Sequence, residues 1–225
     1  MVSKIFLLVH APLLGPATWE LVRRELGRAG HTVVVPDLRG CLIPPQGWWD
    51  RAADAAVRDV PEPPDVVVGH SGAGTVLPLV AHRAGARRVV FADAAIPAES
   101  GVTRPSEQMR ELIRSLAAGD GQLPPWSRWW GRGVMEELVP DQDTRQAIEA
   151  EQVRLPANFY DEDVPVPDEW GSDVHYVQLS PAYDEDAAMA AERGWTVTKL
   201  PGLHLDIVRR PGDVAAALER VAASR

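Results

Sequence analysis

A serine hydroxyl becomes a useful nucleophile when an imidazole takes its proton, and the imidazole needs a carboxylate to fix its tautomer. This chain carries candidates for all three groups. Residues Val66-Val67-Val68-Gly69-His70-Ser71-Gly72-Ala73-Gly74 form an apolar run that stops on a serine between glycines. Three successive valines suit a strand buried on both faces, as in the middle of a parallel sheet. The small residues that follow permit a tight turn into a helix. Such a turn holds the Ser71 hydroxyl at the sheet's carboxyl edge, beside the free N–H groups of a helix N-terminus. The pattern is G-x-S-x-G with its last glycine displaced by one, from position 73 to Gly74. His204, in Pro201-Gly202-Leu203-His204-Leu205-Asp206, lies beyond the last apolar run and is the candidate base.

The acid has two sources. Asp93 closes the run Val90-Phe91-Ala92-Asp93, where a lone carboxylate is costly without a partner. Asp184, Glu185 and Asp186 follow a later run, and they also read as the N-cap and first turn of a helix over 186–194. Asp93 has no such structural explanation and is preferred. His10, Pro12, Trp126, Trp129 and Trp130 are the candidate substrate contacts; the three tryptophans share one face if their segment is helical, and lid packing explains them equally well. His10 also suits the ordering of its own loop, as does Asp37. His70 reads as a neighbour of the nucleophile, and His31, His82 and His175 as surface or edge positions.

Six short apolar runs must position these groups: Ile5–Val9, Thr32–Val35, Val66–Val68, Arg88–Ala92, Val174–Leu179 and Thr196–Leu200. Helical patterns follow most of them. Pro16 suits a first helical position, with Trp19, Val22 and Leu26 on one face, and Pro211 and Asp213 open a last helix with Val214, Ala217, Leu218 and Val221 in a stripe. Strand alternating with helix predicts a parallel sheet with right-handed crossovers, and ligands bind beyond the carboxyl ends of such strands. Those ends are polar: His10, Asp37, Ser71, Asp93 and Ser180, with His204 in the loop after the last strand. Residues 97–172 break the alternation and read as a helical lid between the fourth and fifth strands. The expectation is one domain over 1–225, its core formed by 1–96 and 173–225.

With 23 basic and 32 acidic side chains among 225 residues, the formal charge is −9, which disfavours a phosphate backbone as partner. A single cysteine, Cys41, precludes an internal disulfide framework and suits a reducing, cytoplasmic setting. No run approaches the length of a membrane span, and Lys4–Val9 reads as a strand, not as a signal peptide. Residues 69–75 lack the lysine of a phosphate loop and do not supply G-x-G-x-x-G. Nor do His10, Asp37, Asp93 and His204 show a metal-ligand spacing. No cofactor and no metal are expected.

The order of strand, His10-Ala11-Pro12-Leu13-Leu14-Gly15-Pro16-Ala17-Thr18-Trp19, amphipathic helix, Val34-Val35-Pro36-Asp37-Leu38-Arg39-Gly40 and then Gly69–Gly74 resembles an α/β-hydrolase. It is most similar to the compact branch of small esterases and plant hydroxynitrile lyases. The likeness covers residues 3–97 and 173–222. It implies about six parallel strands flanked by helices, Ser71 as nucleophile and His204 as base. The acid in the family usually follows the strand Val174–Leu179, and Asp93 would match the variant in which it follows the preceding strand.

One departure bears on chemistry. The family usually takes an oxyanion-hole N–H from the position held here by Pro12, which has none. Gly72 remains as a donor, and Leu13 is the candidate replacement. Losing one such donor costs about 10²–10³ in the rate of acyl transfer. The leading expectation is a serine hydrolase for an ester, thioester or lactone of a small hydrophobic acid. The alternative uses Ser71 and His204 for proton transfer in a lyase or cyclase, and a catalytically silent binding protein is the more distant one.

Overall fold

The computed structural model of the chain describes residues 2–131 and 133–224. Its first half alternates strand and helix: β1 (Ile5–Val9), α1 (Glu20–Arg28), β2 (Thr32–Val34), α2 (Trp48–Val57), β3 (Val66–Ser71), α3 (Leu77–Ala84) and β4 (Arg88–Ala94). An insertion follows, with β5 (Gly101–Thr103), α4 (Glu107–Leu116), α5 (Val134–Leu138), α6 (Gln142–Ala150) and β6 (Val164–Val166). The chain then returns through β7 (Asp173–Gln178), α7 (Asp184–Glu192), β8 (Thr196–Lys199), α8 (Asp206–Arg209) and α9 (Pro211–Ala223).

Six strands form one parallel sheet in the order β2-β1-β3-β4-β7-β8. Val66, Val67 and Val68 are wholly buried in its middle, as a run without alternation requires. Trp19, Val22 and Leu26 are also fully buried, with the Trp19 Nε1–H donating to the Val9 carbonyl of β1 at 3.1 Å, and α1 packs against α9. Strands β3 and β4 run further than their apolar residues alone predict. They end on Ser71 and Ala94, so that the nucleophile candidate and Asp93 sit within the strand ends.

The insertion is not purely helical. Strand β5 pairs antiparallel with β6, so Val164-Pro165-Val166 closes the insertion at its base against Gly101–Thr103. Proline is tolerated there because a two-stranded ribbon is all edge. Its helices are amphipathic, with Ile113 and Ile148 buried. Two bonds pin it to the loop after β1: Ala17 N–H donates to Glu151 Oε2 at 2.7 Å, and Val153 N–H to the Leu13 carbonyl at 3.4 Å. Among the described residues no helix is long and apolar enough to cross a membrane.

Candidate active site

Ser71 ends β3 with φ 56° and ψ −129°, a conformation that an L-residue adopts only when its surroundings impose it. The turn after it depends on small residues. A Cβ on Gly69 would lie 2.8 Å from Leu77 Cδ1 in α3, and a Cβ on Gly74 would fall on the Ala95 carbonyl oxygen. Ala73, by contrast, is buried with room for its methyl. The close approach to the neighbouring strand thus occurs at position 74, which accounts for the displaced glycine.

Asp93 is positioned by an irregularity. The β3–β4 register passes from His70 opposite Ala92 to Ser71 opposite Ala94, leaving Asp93 as an extra residue with φ 46°. A bulge re-aims the side chain it carries, and aspartate is among the residues that tolerate positive φ. Tyr176, fully buried on β7, clamps the bulge: its hydroxyl donates to the Ala94 carbonyl at 3.0 Å and accepts from Ala94 N–H at 3.1 Å.

The Asp93 carboxylate has no solvent exposure but is saturated with donors. Leu179 N–H and Ser180 N–H donate to Oδ1 at 2.8 and 3.0 Å, and the Ser180 hydroxyl to Oδ2 at 2.6 Å. His204 Nδ1 lies 2.8 Å from Oδ2, and its Nε2 lies 3.1 Å from Ser71 Oγ. A carboxylate only accepts, so Nδ1 carries the proton and Nε2 presents a lone pair to the serine. Burial works to raise the Asp93 pKa. The hydrogen bond and charge of His204, with the Ser180 and Leu179 donors, outweigh it and hold the carboxyl below its usual range. Asp93, His204 and Ser71 are thereby joined in one line of hydrogen bonds.

The His204 ring is enclosed by aromatics. His70 stacks on it at 4.5 Å between centroids, Tyr183 at 5.0 Å, and Trp126 lies at 6.3 Å. His70 Nε2–H donates to the His204 carbonyl at 3.0 Å, and burial together with the His204 charge pushes its pKa down to about 3. His70 therefore fixes the loop that carries His204.

The other candidates distribute unevenly. Asp184, Glu185 and Asp186 begin α7 and do not reach His204; the N-cap is Tyr183, not Asp184. Asp184 accepts from Gln178 Nε2, and Asp186 from Ile96 N–H at 3.0 Å. His10 is buried and both its ring nitrogens are committed to backbone: Nδ1–H donates to the Ala11 carbonyl and Nε2 accepts from Leu38 N–H at 3.0 Å. It has no nitrogen left for a substrate. Asp37 is paired with Arg39. His31 and His175, read from sequence as surface or edge positions, are largely buried on Glu219 and Asp173. Trp126 and Trp129 are buried in a short 3-10 turn, not along an α-helix, while Trp130 is 48 % exposed. Of the three, Trp126 faces the His204 ring; Trp129 donates its Nε1–H to the Pro124 carbonyl.

Pro12 lies against the turn that follows Ser71. A Cβ on Gly72 would be 3.3 Å from Pro12 Cδ, the carbon that occupies the place of an amide hydrogen. The Ala11 carbonyl accepts from Leu14 N–H at 3.0 Å, a turn with proline at its second position. Leu13 N–H makes no hydrogen bond among the described residues. Tyr183 was not singled out from the sequence. Its hydroxyl lies 3.2 Å from Ser71 Oγ.

Residues 6–217 match the Alpha/beta hydrolase family. Among solved structures, a Paenibacillus extracellular alpha/beta-hydrolase superposes with TM-score 0.76 at 18 % identity, covering 98 % of this chain and all of that one. Polyneuridine aldehyde esterase gives 0.73 at 16 % identity over 98 % of this chain and all of its own. Tomato methylketone synthase I, complexed with 2-tridecanone, gives 0.74 at 14 % identity over 99 % and 98 %. No curated protein matches the chain.

Proposed function

Because the chain belongs to the alpha/beta hydrolase family, we propose that it is a serine hydrolase cleaving an ester, thioester or lactone of a small hydrophobic acid. The unbroken line Asp93–His204–Ser71 carries this reading. Ser71 Oγ attacks the carbonyl carbon while its proton passes to His204 Nε2, and Asp93 stabilises the resulting imidazolium. The tetrahedral oxyanion collapses, the bond to the leaving group breaks, and His204 returns the proton to that group. Water then cleaves the acyl-serine by the same steps. Gly72 N–H is the oxyanion donor of this reading, and the unpaired Leu13 N–H is the second candidate. Trp126 supplies an apolar wall beside the base. That 2-tridecanone occupies a protein of this fold agrees with an apolar substrate. The lone Cys41 suits the cytoplasm.

Pro12 favours a second reading. Without its N–H an acyl-enzyme is less well supported, and Ser71 with His204 could instead move protons in a lyase or cyclase. Intact mass after treatment with a small fluorophosphonate separates the two. Serine hydrolysis predicts a single adduct mapped to Ser71, and Ser71→Ala loses both the adduct and turnover of p-nitrophenyl butyrate. A folded protein that stays unlabelled, or a Ser71→Ala variant that retains turnover, refutes the hydrolase reading.

A further inference from the structure

Protons in the line of hydrogen bonds can be counted. His204 Nδ1–H is spent on Asp93, so Nε2 accepts from Ser71. The serine has then given its one hydrogen. The hydrogen between Ser71 Oγ and Tyr183 Oη, 3.2 Å apart, comes from the tyrosine. A phenol O–H thus points at the attacking oxygen, its ring held parallel to the His204 imidazole within 12°. On the neighbouring loop, the place where the family draws an N–H is filled by Pro12 Cδ. A donor is missing from the loop after β1, and one that the family pattern does not call for lies 3.2 Å from Ser71 Oγ.

We infer that Tyr183 is a further catalytic residue, whose O–H donates to the carbonyl oxygen of the substrate as that oxygen becomes the oxyanion, in place of the N–H that Pro12 lacks. The inference rests on the serine-hydrolase reading above. When Ser71 Oγ bonds to the carbonyl carbon, the C=O π pair moves onto oxygen and the serine proton goes to His204 Nε2. Attacking oxygen and oxyanion then share one carbon, so the phenol passes from one to the other by a small rotation. It keeps its proton: burial holds the Tyr183 pKa above the ordinary phenol value. When the π bond re-forms and the leaving group departs with the His204 proton, the hydrogen bond to Tyr183 weakens again. The tyrosine stabilises charge and transfers nothing.

The test uses p-nitrophenyl butyrate turnover, fluorophosphonate labelling and thermal melting on wild type, Tyr183→Phe, Pro12→Ala and the double variant. Tyr183→Phe is expected to melt like wild type, still label at Ser71, and lose about 10²-fold in kcat with KM little changed, as for one oxyanion donor. Pro12→Ala restores an N–H, so it recovers activity in the Tyr183→Phe background by far more than it adds to wild type. Wild type that labels and turns over while Tyr183→Phe matches or exceeds its kcat overturns the inference and leaves the hydrolase reading standing. Wild type that neither labels nor turns over overturns the hydrolase reading itself. Should Tyr183→Phe not fold, 3,5-difluorotyrosine at position 183 keeps the shape and the hydrogen bond while lowering the phenol pKa. Activity then falls at lower pH than in wild type as the donor ionises; an unchanged alkaline profile refutes the role.

Discussion

Replacing Asp93 by asparagine separates the acid's chemistry from its part in the fold. Asparagine tolerates φ 46°, and an amide oxygen at the Oδ1 position still accepts from Leu179 and Ser180 N–H. At the Oδ2 position an NH₂ group now meets Ser180 Oγ and His204 Nδ1. The hydroxyl can reverse and accept. The imidazole can accept only by moving its proton to Nε2, which then points at Ser71 Oγ and can no longer take the serine proton. In other Ser-His-Asp enzymes this tautomer error costs about 10⁴ in kcat, which is about 5.4 kcal/mol of barrier. Stability changes far less. Each retained bond weakens by about 1 kcal/mol on losing the charge, and removing a buried charge offsets part of that. At about 2–4 °C per kcal/mol for a chain of this size, the melt moves by a few degrees. The assay is kcat on p-nitrophenyl butyrate alongside thermal melting, with Asp184→Asn as the comparison. A folded Asp93→Asn within about tenfold of wild type, or an Asp184→Asn that loses as much, refutes the assignment, since tenfold is only about 1.4 kcal/mol.

Gly74→Ala places a methyl on the Ala95 carbonyl, whose own N–H donates to the Ser71 carbonyl at 3.1 Å. Overpacking of this kind costs about 1–3 kcal/mol and displaces the nucleophile turn, so both melting temperature and fluorophosphonate labelling rate should drop; an unaltered melt would show that the approach is not tight. His70 gives a pH prediction. Its native pKa is pushed down to about 3 by burial and the His204 charge, against about 6.5 when unfolded. Between those values the unfolded chain binds a proton that the native chain does not, so stability rises with pH there and is lost as pH falls, by up to about 1.4 kcal/mol per unit. His70→Asn keeps a donor for the His204 carbonyl and removes this titration, so its stability-versus-pH slope from about pH 4 to 6 should be shallower by one proton. Equal slopes in urea titrations would exclude His70 as the source.

The sheet was legible because burial on both faces of its inner strands writes itself as apolar runs, and each of the six runs overlaps a strand of the sheet. What the runs could not reveal was how the strands end. Ser71 and Asp93 follow the apolar runs Val66–Val68 and Arg88–Ala92, in backbone conformations set by the close approach of two strands and by a bulge. Nothing in local periodicity marks an extra residue in a register. Gly74 was readable as a departure from the motif, but its reason, the Ala95 carbonyl, lies across the sheet. Residues 97–172 were the least legible: the β5–β6 ribbon is formed by segments more than sixty positions apart, and Val164-Pro165-Val166 reads as a loop unless its partner is known. Tyr183 gave no signal, because a tyrosine before an acidic helix start has an ordinary reading as a surface cap. Only its placement over His204 distinguishes it.

Two departures from the family pattern, the placement of Asp93 and Pro12, meet Tyr183 at this site, and the three fit together physically. In the proposed reading the acid, Asp93, stands on the bulge of β4 instead of in the loop after β7. That loop still serves it, through Leu179 N–H, Ser180 N–H and the Ser180 hydroxyl. With the carboxylate supplied from β4 in that reading, the next turn, Pro181–Tyr183, is free to send its last side chain to Ser71 Oγ. The second departure, Pro12, removes a donor from the loop after β1 while its ring packs against Gly72. Taken singly, the proline argues for a weakened hydrolase and the relocated acid for a neutral rearrangement. Taken together with the phenol, they support the inference of an oxyanion site in which Gly72 N–H stays and the second donor has moved from a backbone amide on the loop after β1 to a side chain after β7. A backbone amide cannot be tuned, whereas a phenol responds to the groups around it. On that inference the rate depends on Tyr183 and on whatever substrate group displaces it from Ser71, and Pro12 and Tyr183 respond to mutation as a pair, not as independent sites.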